Sequence, residues 1–206
     1  MKVSKIRDGL WRWEVPHPAG WGRSVASVYA EFEEAVVLID PLVPADPADQ
    51  ERFWRALDRD VLRLARPVLV LVGSVDHGRS ADAVASRYLA AGRELRVVGD
   101  AAIRDAVSCV LHATFDDVKL PVGLHALPIP GMSPGERAFV LDPWRTAVFA
   151  DAVIGAGEGR VRVLHARVFR PAIQGIALAR PEIVLTSHGE PVLSGGTAAL
   201  EQALGR

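Results

Sequence analysis

Short apolar segments that run out into polar loops are the feature that most constrains the fold of this 206-residue chain. A continuous run of four or five apolar residues is typical of a strand covered on both faces of a sheet. Four such segments, each with the loop that follows it, occupy residues 70–80, 128–135, 148–151 and 183–191. Because ligands of open α/β sheets gather beyond the carboxyl ends of strands, we expect these loops to share one rim.

Periodicity along the rest of the chain predicts a layered α/β arrangement. The sequence predicts strands at 10–13, 25–32, 35–40, 68–72, 95–98, 124–129, 138–141, 146–150 and 183–186. It predicts helices at 46–64, 80–91, 100–108, 168–179 with Pro171 in the first turn, and 196–204. Strands precede a helix–strand alternation, and that order is then repeated, which predicts two β-rich layers flanked by helices.

Composition limits the class of protein and its partners. Half of the residues are apolar and 24% are charged, which indicates a globular chain, and the length suits one domain over residues 1–206. A net charge of −1 gives no broad field that would favour nucleic acid or a membrane surface. The single cysteine, Cys109, excludes an internal disulfide. With no signal peptide and no apolar run long enough to span a bilayer, we expect a cytoplasmic location.

Each polar loop alone allows two interpretations. Asp76 and His77 are suitable ligands for zinc, but an Asp-His pair also serves as a hydrogen-bonded cap at the start of a helix. Asp151 and His188, alone at their strand ends, are more often structural than ligating or catalytic. The order of the four loops therefore carries more information than any one of them.

That order resembles the metallo-β-lactamase superfamily over roughly residues 25–195. The landmarks are VVLID at 36–40, the strand into an Asp-His pair at 68–77, PGMSPG at 130–135, FAD at 149–151 and SHGEP at 187–191. The resemblance implies an α/β fold, a four-layer αββα sandwich in which two mixed sheets are flanked by helices. Members of the superfamily typically hold two metal ions, most commonly zinc.

The resemblance also divides the metal ligands into two groups. The positions of the first metal site fall on residues that ligate zinc poorly or not at all, namely Val72, Ser74 and Met132. The positions of the second site keep ligating residues, namely Asp76, His77, His188 and the bridging Asp151. Three or four Asp and His ligands are enough for one zinc ion with room for water. The expected cofactor is one divalent metal, zinc first, or none.

Two further residues are candidates for substrate binding. Arg79, where the superfamily has glycine, could bind a substrate carboxylate or phosphate through its guanidinium fork. It could equally pair with Asp76 or Asp151 and replace the charge of the metal. His17 lies in an early loop that superfamily members place near the cleft, where it offers a further nitrogen, although a surface histidine is the simpler interpretation.

These residues lead to two hypotheses for function. The first is a hydrolase with at most one metal, acting on a small ester, lactone, thioester or similar substrate, with the carboxylate of Asp76 or Asp151 as the catalytic group that takes the proton. The second is a non-catalytic, metal-free descendant that binds a small ligand or a protein partner. A homo-oligomer is a third expectation because the chain has five tryptophans, which otherwise fill the core: Trp11, Trp13, Trp21, Trp54 and Trp144.

Overall fold

The computed structural model describes residues 1–19, 23–131 and 133–205. The strands in these ranges are β1 (Lys2–Arg7), β2 (Leu10–Pro16), β3 (Ser24–Glu31), β4 (Val36–Ile39), β5 (Val68–Leu71), β6 (Leu95–Gly99), β7 (Ala113–Thr114), β8 (Leu124–Pro128), β9 (Arg137–Leu141), β10 (Thr146–Phe149), β11 (Val153–Gly157), β12 (Arg160–Val163) and β13 (Ile183–Thr186). The helices are α1 (Pro47–Leu64), α2 (Ala81–Ala90), α3 (Ala166–Leu178) and α4 (Gly196–Ala203).

Two mixed sheets and one hairpin contain these strands. The first sheet has the order β1-β2-β3-β4-β5-β6-β7, with antiparallel pairing as far as β4 and parallel pairing from β4 to β7. The second has the order β13-β10-β9-β8 and is antiparallel except for the β10–β13 pair. Strands β11 and β12 form a separate hairpin. In the parallel pairs β4–β5 and β10–β13, the carboxyl ends of the two strands lie side by side within one sheet.

Alternation of buried residues along the central strands separates four layers. Val37 and Ile39 of β4 share one apolar core with Phe139 of β9, so this core lies between the two sheets. Leu38 points to the opposite face, where a second core includes residues of α1 and α2. Val140 of β9 likewise points away, into a core with α3 and α4. Because neighbouring residues of a strand face opposite sides, the arrangement is the predicted αββα sandwich.

Helix α1 begins where the sequence predicts it. Asp46 accepts a hydrogen bond from the backbone N–H of Asp49 (2.9 Å), and Pro47 occupies the first helical position, where no N–H is needed. The apolar face buries Phe53, Leu57 and other residues of the same spacing against the first sheet.

The predicted helix at 100–108 is wrong. The segment forms a single 3-10 turn, Ala101–Ile103, capped by the Asp100 side chain, and continues as irregular turns. Val107 and Ser108 pack against Gly78, at which any side chain would clash with them. This tertiary contact prevails over a short and weak helical pattern.

Three further features differ from the sequence prediction. The edge strand β1 was not predicted, because its two lysines and lack of an apolar run hide it, although charged edge strands are common in natural sheets. The β11–β12 hairpin was not predicted either, because glycine and arginine interrupt its apolar pattern. Helix α3 begins at Ala166, so Pro171 lies inside it and not in its first turn.

The tryptophans contribute to the cores to different extents. Trp13 is buried, whereas three others are partly buried and pack against core clusters, namely Trp11, Trp54 and Trp144. Trp21, the fifth, lies outside the described residues. None of the helices in the described ranges combines the length and the apolar character that crossing a bilayer requires.

The core between the sheets is testable by truncation. Leu71 is fully buried there, and we expect Leu71→Ala to lower the free energy of unfolding by about 2–5 kcal/mol through lost contacts and a cavity. Leu62→Ala, at a position on α1 that is 65% exposed, is the control and should change it by less than about 0.5 kcal/mol. Urea unfolding measures both, and equal effects would contradict the assigned layers.

Candidate functional site

Three side chains from separate loops converge at one rim of the sandwich. His77 follows β5, Asp151 follows β10 and His188 follows β13. One ligating atom from each lies within 4.8 Å of the other two. We refer to these three residues as the ligand cluster. Two imidazoles and a carboxylate form a donor set that suits zinc and similar ions and leaves a position for water or substrate.

Asp40 holds the imidazole of His77. The Nδ1 atom of His77 lies 2.6 Å from the Asp40 carboxylate, and both side chains are only 3% exposed. Burial lowers the pKa of His77, as does the charge of Arg79, but the charge of Asp40 and the hydrogen bonds with Asp151 and Asp40 outweigh both and raise the pKa to about 9. A carboxylate on Nδ1 leaves Nε2 directed at the cluster, an arrangement typical of metal-binding histidines.

Asp151 joins the two histidines. Its carboxylate oxygens lie 3.3 Å from His77 Nε2 and 3.2 Å from His188 Nε2, and the hydroxyl of Ser74 is at 3.5 Å. Burial raises the pKa of Asp151, but hydrogen bonds and charge from the two histidines outweigh it and hold the pKa well below its ordinary value. The residue is therefore a carboxylate, which suits a ligand better than a proton acceptor.

A buried glutamate positions the Asp151 loop. Glu136 accepts hydrogen bonds from the backbone N–H groups of Asp151 (3.1 Å) and Ala152 (2.6 Å). Burial raises the pKa of Glu136, and the two N–H donors act in the opposite direction. Because an ionised buried carboxylate needs such donors, Glu136 and the loop stabilise each other.

A buried arginine positions the His188 loop. Arg12 of β2 is 2% exposed and donates to the carbonyls of Gly189 (2.8 Å) and Thr186 (3.4 Å), on either side of His188. Its Nη1 pairs with Glu14. The loop also rests directly on the hairpin, because the N–H of Gly155 donates to the carbonyl of His188 (2.8 Å). A side chain at Gly189, where φ is +79°, would collide with that backbone.

Arg79 lies against the cluster and not against an acid. Its Nη1 donates to the carbonyls of Ala26 (3.0 Å) and Asp40 (3.1 Å), and its Nη2 lies 3.1 Å from His77 Nε2. Among the residues that the structure describes, no ion pair joins Arg79 to Asp76 or Asp151. The alternative in which Arg79 pairs directly with one of those acids is thus not what the structure contains.

His17 faces the cluster from the early loop. Its ring stacks on that of His188, with the ring centroids 6.1 Å apart. Its Nδ1 accepts the backbone N–H of Ala19 (3.0 Å), so the neutral ring carries its proton on Nε2. Burial lowers the pKa of His17, as do the positive charges of His188 and Arg79. The ring of His17 is therefore placed at the rim beside the cluster.

Asp76 is the one predicted ligand that the structure does not bring to the cluster. It is exposed, whereas the adjacent His77 is buried, because successive residues of a 3-10 turn project about 120° apart. Turning His77 inward therefore turns Asp76 outward. The catalytic and ligating roles that the sequence suggests for Asp76 have no support in this geometry.

The positions of the first metal site have other uses. Val72 is fully buried and belongs to the core beneath α1 and α2. Ser74 is also buried and contacts Asp151 through its hydroxyl. Met132, the third position, lies outside the described residues. The two described positions provide no ligand for a second ion.

Sequence reasoning missed three residues that hold the cluster in place: Asp40, Glu136 and Arg12. Asp40 was visible only as an acid that ends an apolar strand. Arg12 falls on the inward face of β2 by alternation with Leu10, which is the one signal that could have marked it. Glu136 gives no local signal, since its partners are backbone groups fifteen and sixteen residues away.

Comparison with solved structures gives the fold a name. A metallo-β-lactamase from Pontibacter korlensis superposes with a TM-score of 0.69 at 17% identity, covering 99% of this chain and 97% of that one. The fold is that of the metallo-β-lactamases. A β-lactamase domain protein from Burkholderia ambifaria gives 0.69 at 16% identity, with 98% and 71% covered. A metallo-β-lactamase from Erythrobacter litoralis gives 0.67 at 13%, with 98% and 94% covered.

Sequence comparison adds nothing to that result. No protein-family model matches the chain, and no curated protein matches it. At 13–17% identity the structural likeness establishes the metallo-β-lactamase fold and leaves the activity to be argued from the site.

The pairing of Asp40 with His77 gives a prediction for stability. Asp40→Asn keeps the shape and tolerates the left-handed backbone at this position (φ 50°), but it removes the charge and one of two acceptors. A buried N–H of His77 or Gly73 then lacks a partner, and we expect the free energy of unfolding to fall by about 1–3 kcal/mol.

The matched control is Asp142→Asn, which changes the exposed pair between Asp142 and His125 (2.8 Å). An exposed pair contributes less than about 1 kcal/mol, so this variant should unfold in urea like the wild type. A loss at Asp142 as large as the loss at Asp40 would contradict the role given to the buried pair.

Proposed function

We propose that this protein is a metal-dependent hydrolase with one metal ion, held by His77, Asp151 and His188. The observation that carries the proposal is the convergence of these three ligating atoms within 4.8 Å. The hydrogen bond from His77 to Asp40 supports it, because a carboxylate behind a ligating imidazole is a common feature of metal centres. The fold shared with metallo-β-lactamases is consistent with hydrolysis.

The chemistry of the donor set favours zinc and a small acyl substrate. A bound divalent ion supplies a Lewis acid that polarises a carbonyl and acidifies water. Two imidazoles and one carboxylate match the donors that zinc prefers. We infer an ester, lactone or thioester as the substrate class, because these carbonyl groups are readily attacked once polarised.

The residues around the cluster have separate tasks in this proposal. Asp40 orients His77, and Glu136 orients the loop of Asp151. His17 lies beside His188, where its ring can contact a bound substrate. Arg79 Nη2 lies at the cluster, in a place where it can meet a substrate carboxylate or phosphate.

A second candidate function is the binding of a ligand without metal or turnover. Two observations favour it: Val72 packs in the apolar core in place of a first-site ligand, and the guanidinium of Arg79 contacts His77 Nε2. In this case a protein cation balances the carboxylates of the site, and the rim binds a small molecule or a protein partner.

Metal content separates the two candidates. Purified without chelator, the wild type should contain about one zinc, iron or manganese ion per chain, since its ligands provide one site. His188→Ala should lose the ion, whereas His125→Ala, at an exposed histidine bonded to Asp142, should keep it. Elemental analysis measures all three. A wild type without metal after incubation with zinc would favour the ligand-binding candidate.

Turnover is tested on para-nitrophenyl esters, lactones and thioesters. We expect hydrolysis by the metal-loaded wild type, its loss after treatment with a chelator, and its return when zinc is restored. His188→Ala should show no hydrolysis under any of these conditions, because the ion is no longer held. Hydrolysis that survives both the chelator and the substitution would contradict a metal-dependent reaction.

A further inference from the structure

Arg79 is fixed in a position that serves the cluster and little else. The carbonyls of Ala26 and Asp40, at 3.0 and 3.1 Å from Nη1, anchor the guanidinium at the ends of β3 and β4. This anchoring directs Nη2 to within 3.1 Å of His77 Nε2. The side chain therefore extends from the ends of two inner strands of the first sheet to the ligand cluster.

The backbone of Arg79 is strained to reach that position. Its φ is +37°, in the left-handed region that residues with a side chain seldom adopt and that glycine adopts freely. Strain of this kind persists where the surrounding structure over-determines it and is concentrated at functional sites. A glycine at this position would relieve the strain. We therefore infer that the contacts of the guanidinium offset the strained backbone of Arg79.

The contact made by Arg79 and a metal ion require the same atom. Nδ1 of His77 is committed to Asp40, so Nε2 is the ligating nitrogen of the cluster. A ring nitrogen offers one in-plane direction for bonding, which cannot serve both a guanidinium and a metal ion. The positive charge of Arg79 also repels a cation at Asp151 and His188.

We propose that Arg79 is the resident cation of the site, and that a divalent ion binds to the ligand cluster only by displacing the guanidinium from His77. The inference rests on the ligand cluster of the proposed function and goes beyond it, since it makes metal affinity a property set by Arg79. In the metal-free protein the guanidinium balances the charges of the buried Asp40 and the half-buried Asp151, and it leaves His77 Nε2 when an ion binds.

Zinc affinity of the full chain tests this directly. Metal-stripped protein is titrated with zinc in competition with a chromophoric chelator, comparing the wild type, Arg79→Gly and Arg79→Gln. Arg79→Gly removes the guanidinium and the strain, whereas Arg79→Gln removes the charge and keeps a polar side chain. A hydrogen bond to a charged group is strong enough that we expect both variants to bind zinc at least about tenfold more tightly.

Arg66→Gln is the matched control. Arg66 is half-buried like Arg79 and also donates to a backbone carbonyl, that of Phe32 (2.6 Å), but it precedes β5 at the end opposite the cluster. The zinc affinity of the Arg66→Gln variant should equal that of the wild type. Tighter binding in all three variants would point to a general loosening of the fold and would overturn the proposal.

The remaining outcomes separate this inference from the proposed function. Equal or weaker zinc binding by the Arg79 variants, with a wild type that binds, overturns the role of Arg79 and leaves the metal site standing. Binding by the variants alone supports the role of Arg79 and overturns a metal-dependent function for the natural chain. No binding by any of them overturns both.

A second test uses only the wild type, so it does not require that a variant folds correctly. Crystals grown with a chelator and crystals grown with zinc are compared for the distance between Arg79 Nη2 and His77 Nε2. We expect hydrogen-bonding distance without zinc and a clear separation with it. Zinc on His77 with the guanidinium still beside Nε2 would contradict displacement.

Discussion

The buried hydrogen bond between Asp40 and His77 is the interaction on which the arrangement of the site depends. Parallel pairing of β4 and β5 brings Asp40 beside Gly73, whose N–H donates to the same carboxylate at 2.7 Å. A side chain at Gly73 would crowd that carboxylate and the ring of Phe139. Because Asp40 is anchored in this way, its hydrogen bond with His77 directs that side chain inward from the 3-10 turn after β5.

The other two residues of the cluster are held by the same physical principle. Glu136 holds the backbone of the Asp151 loop, and Arg12 holds the backbone on both sides of His188. Each is a buried ionisable side chain that accepts from or donates to backbone groups of a distant segment. Because a buried charge is stable only with such partners, folding of the sandwich and assembly of the site are coupled. The rim is therefore preorganised before any ligand arrives.

Much of the fold can be predicted from local sequence, because strands and helices carry different apolar patterns. Runs such as residues 68–72 and 183–186 indicate strands covered on both faces, and Asp46 marks the start of α1. The β11–β12 hairpin is hard to see in the sequence because glycine and arginine interrupt its apolar pattern. The segment at 100–108 has a helical pattern that its contacts with Gly78 override.

The sequence predicts which residues lie at the rim, because each of them follows the end of a strand. It does not predict in which direction their side chains point. His77, Asp151 and His188 each follow a strand at the rim, so their convergence is visible in the sequence order. Asp76 is one residue from His77, yet it points to solvent, because a single step in a 3-10 turn reverses the outcome. In the loops that they hold, the partners of Arg12 and Glu136 are backbone atoms, which carry no signature in the sequence.

In our proposal, the guanidinium of Arg79 and a divalent metal ion compete for the same nitrogen, Nε2 of His77. The guanidinium lies 3.1 Å from His77 Nε2 in the structure, and the cluster keeps the donor atoms that an ion needs. Anomalous diffraction at the zinc edge, from crystals grown with zinc, tests the central claim most directly. The account predicts one peak per chain, in contact with His77, Asp151 and His188. A peak beside Val72 and Ser74, or no peak among the three residues, would contradict it.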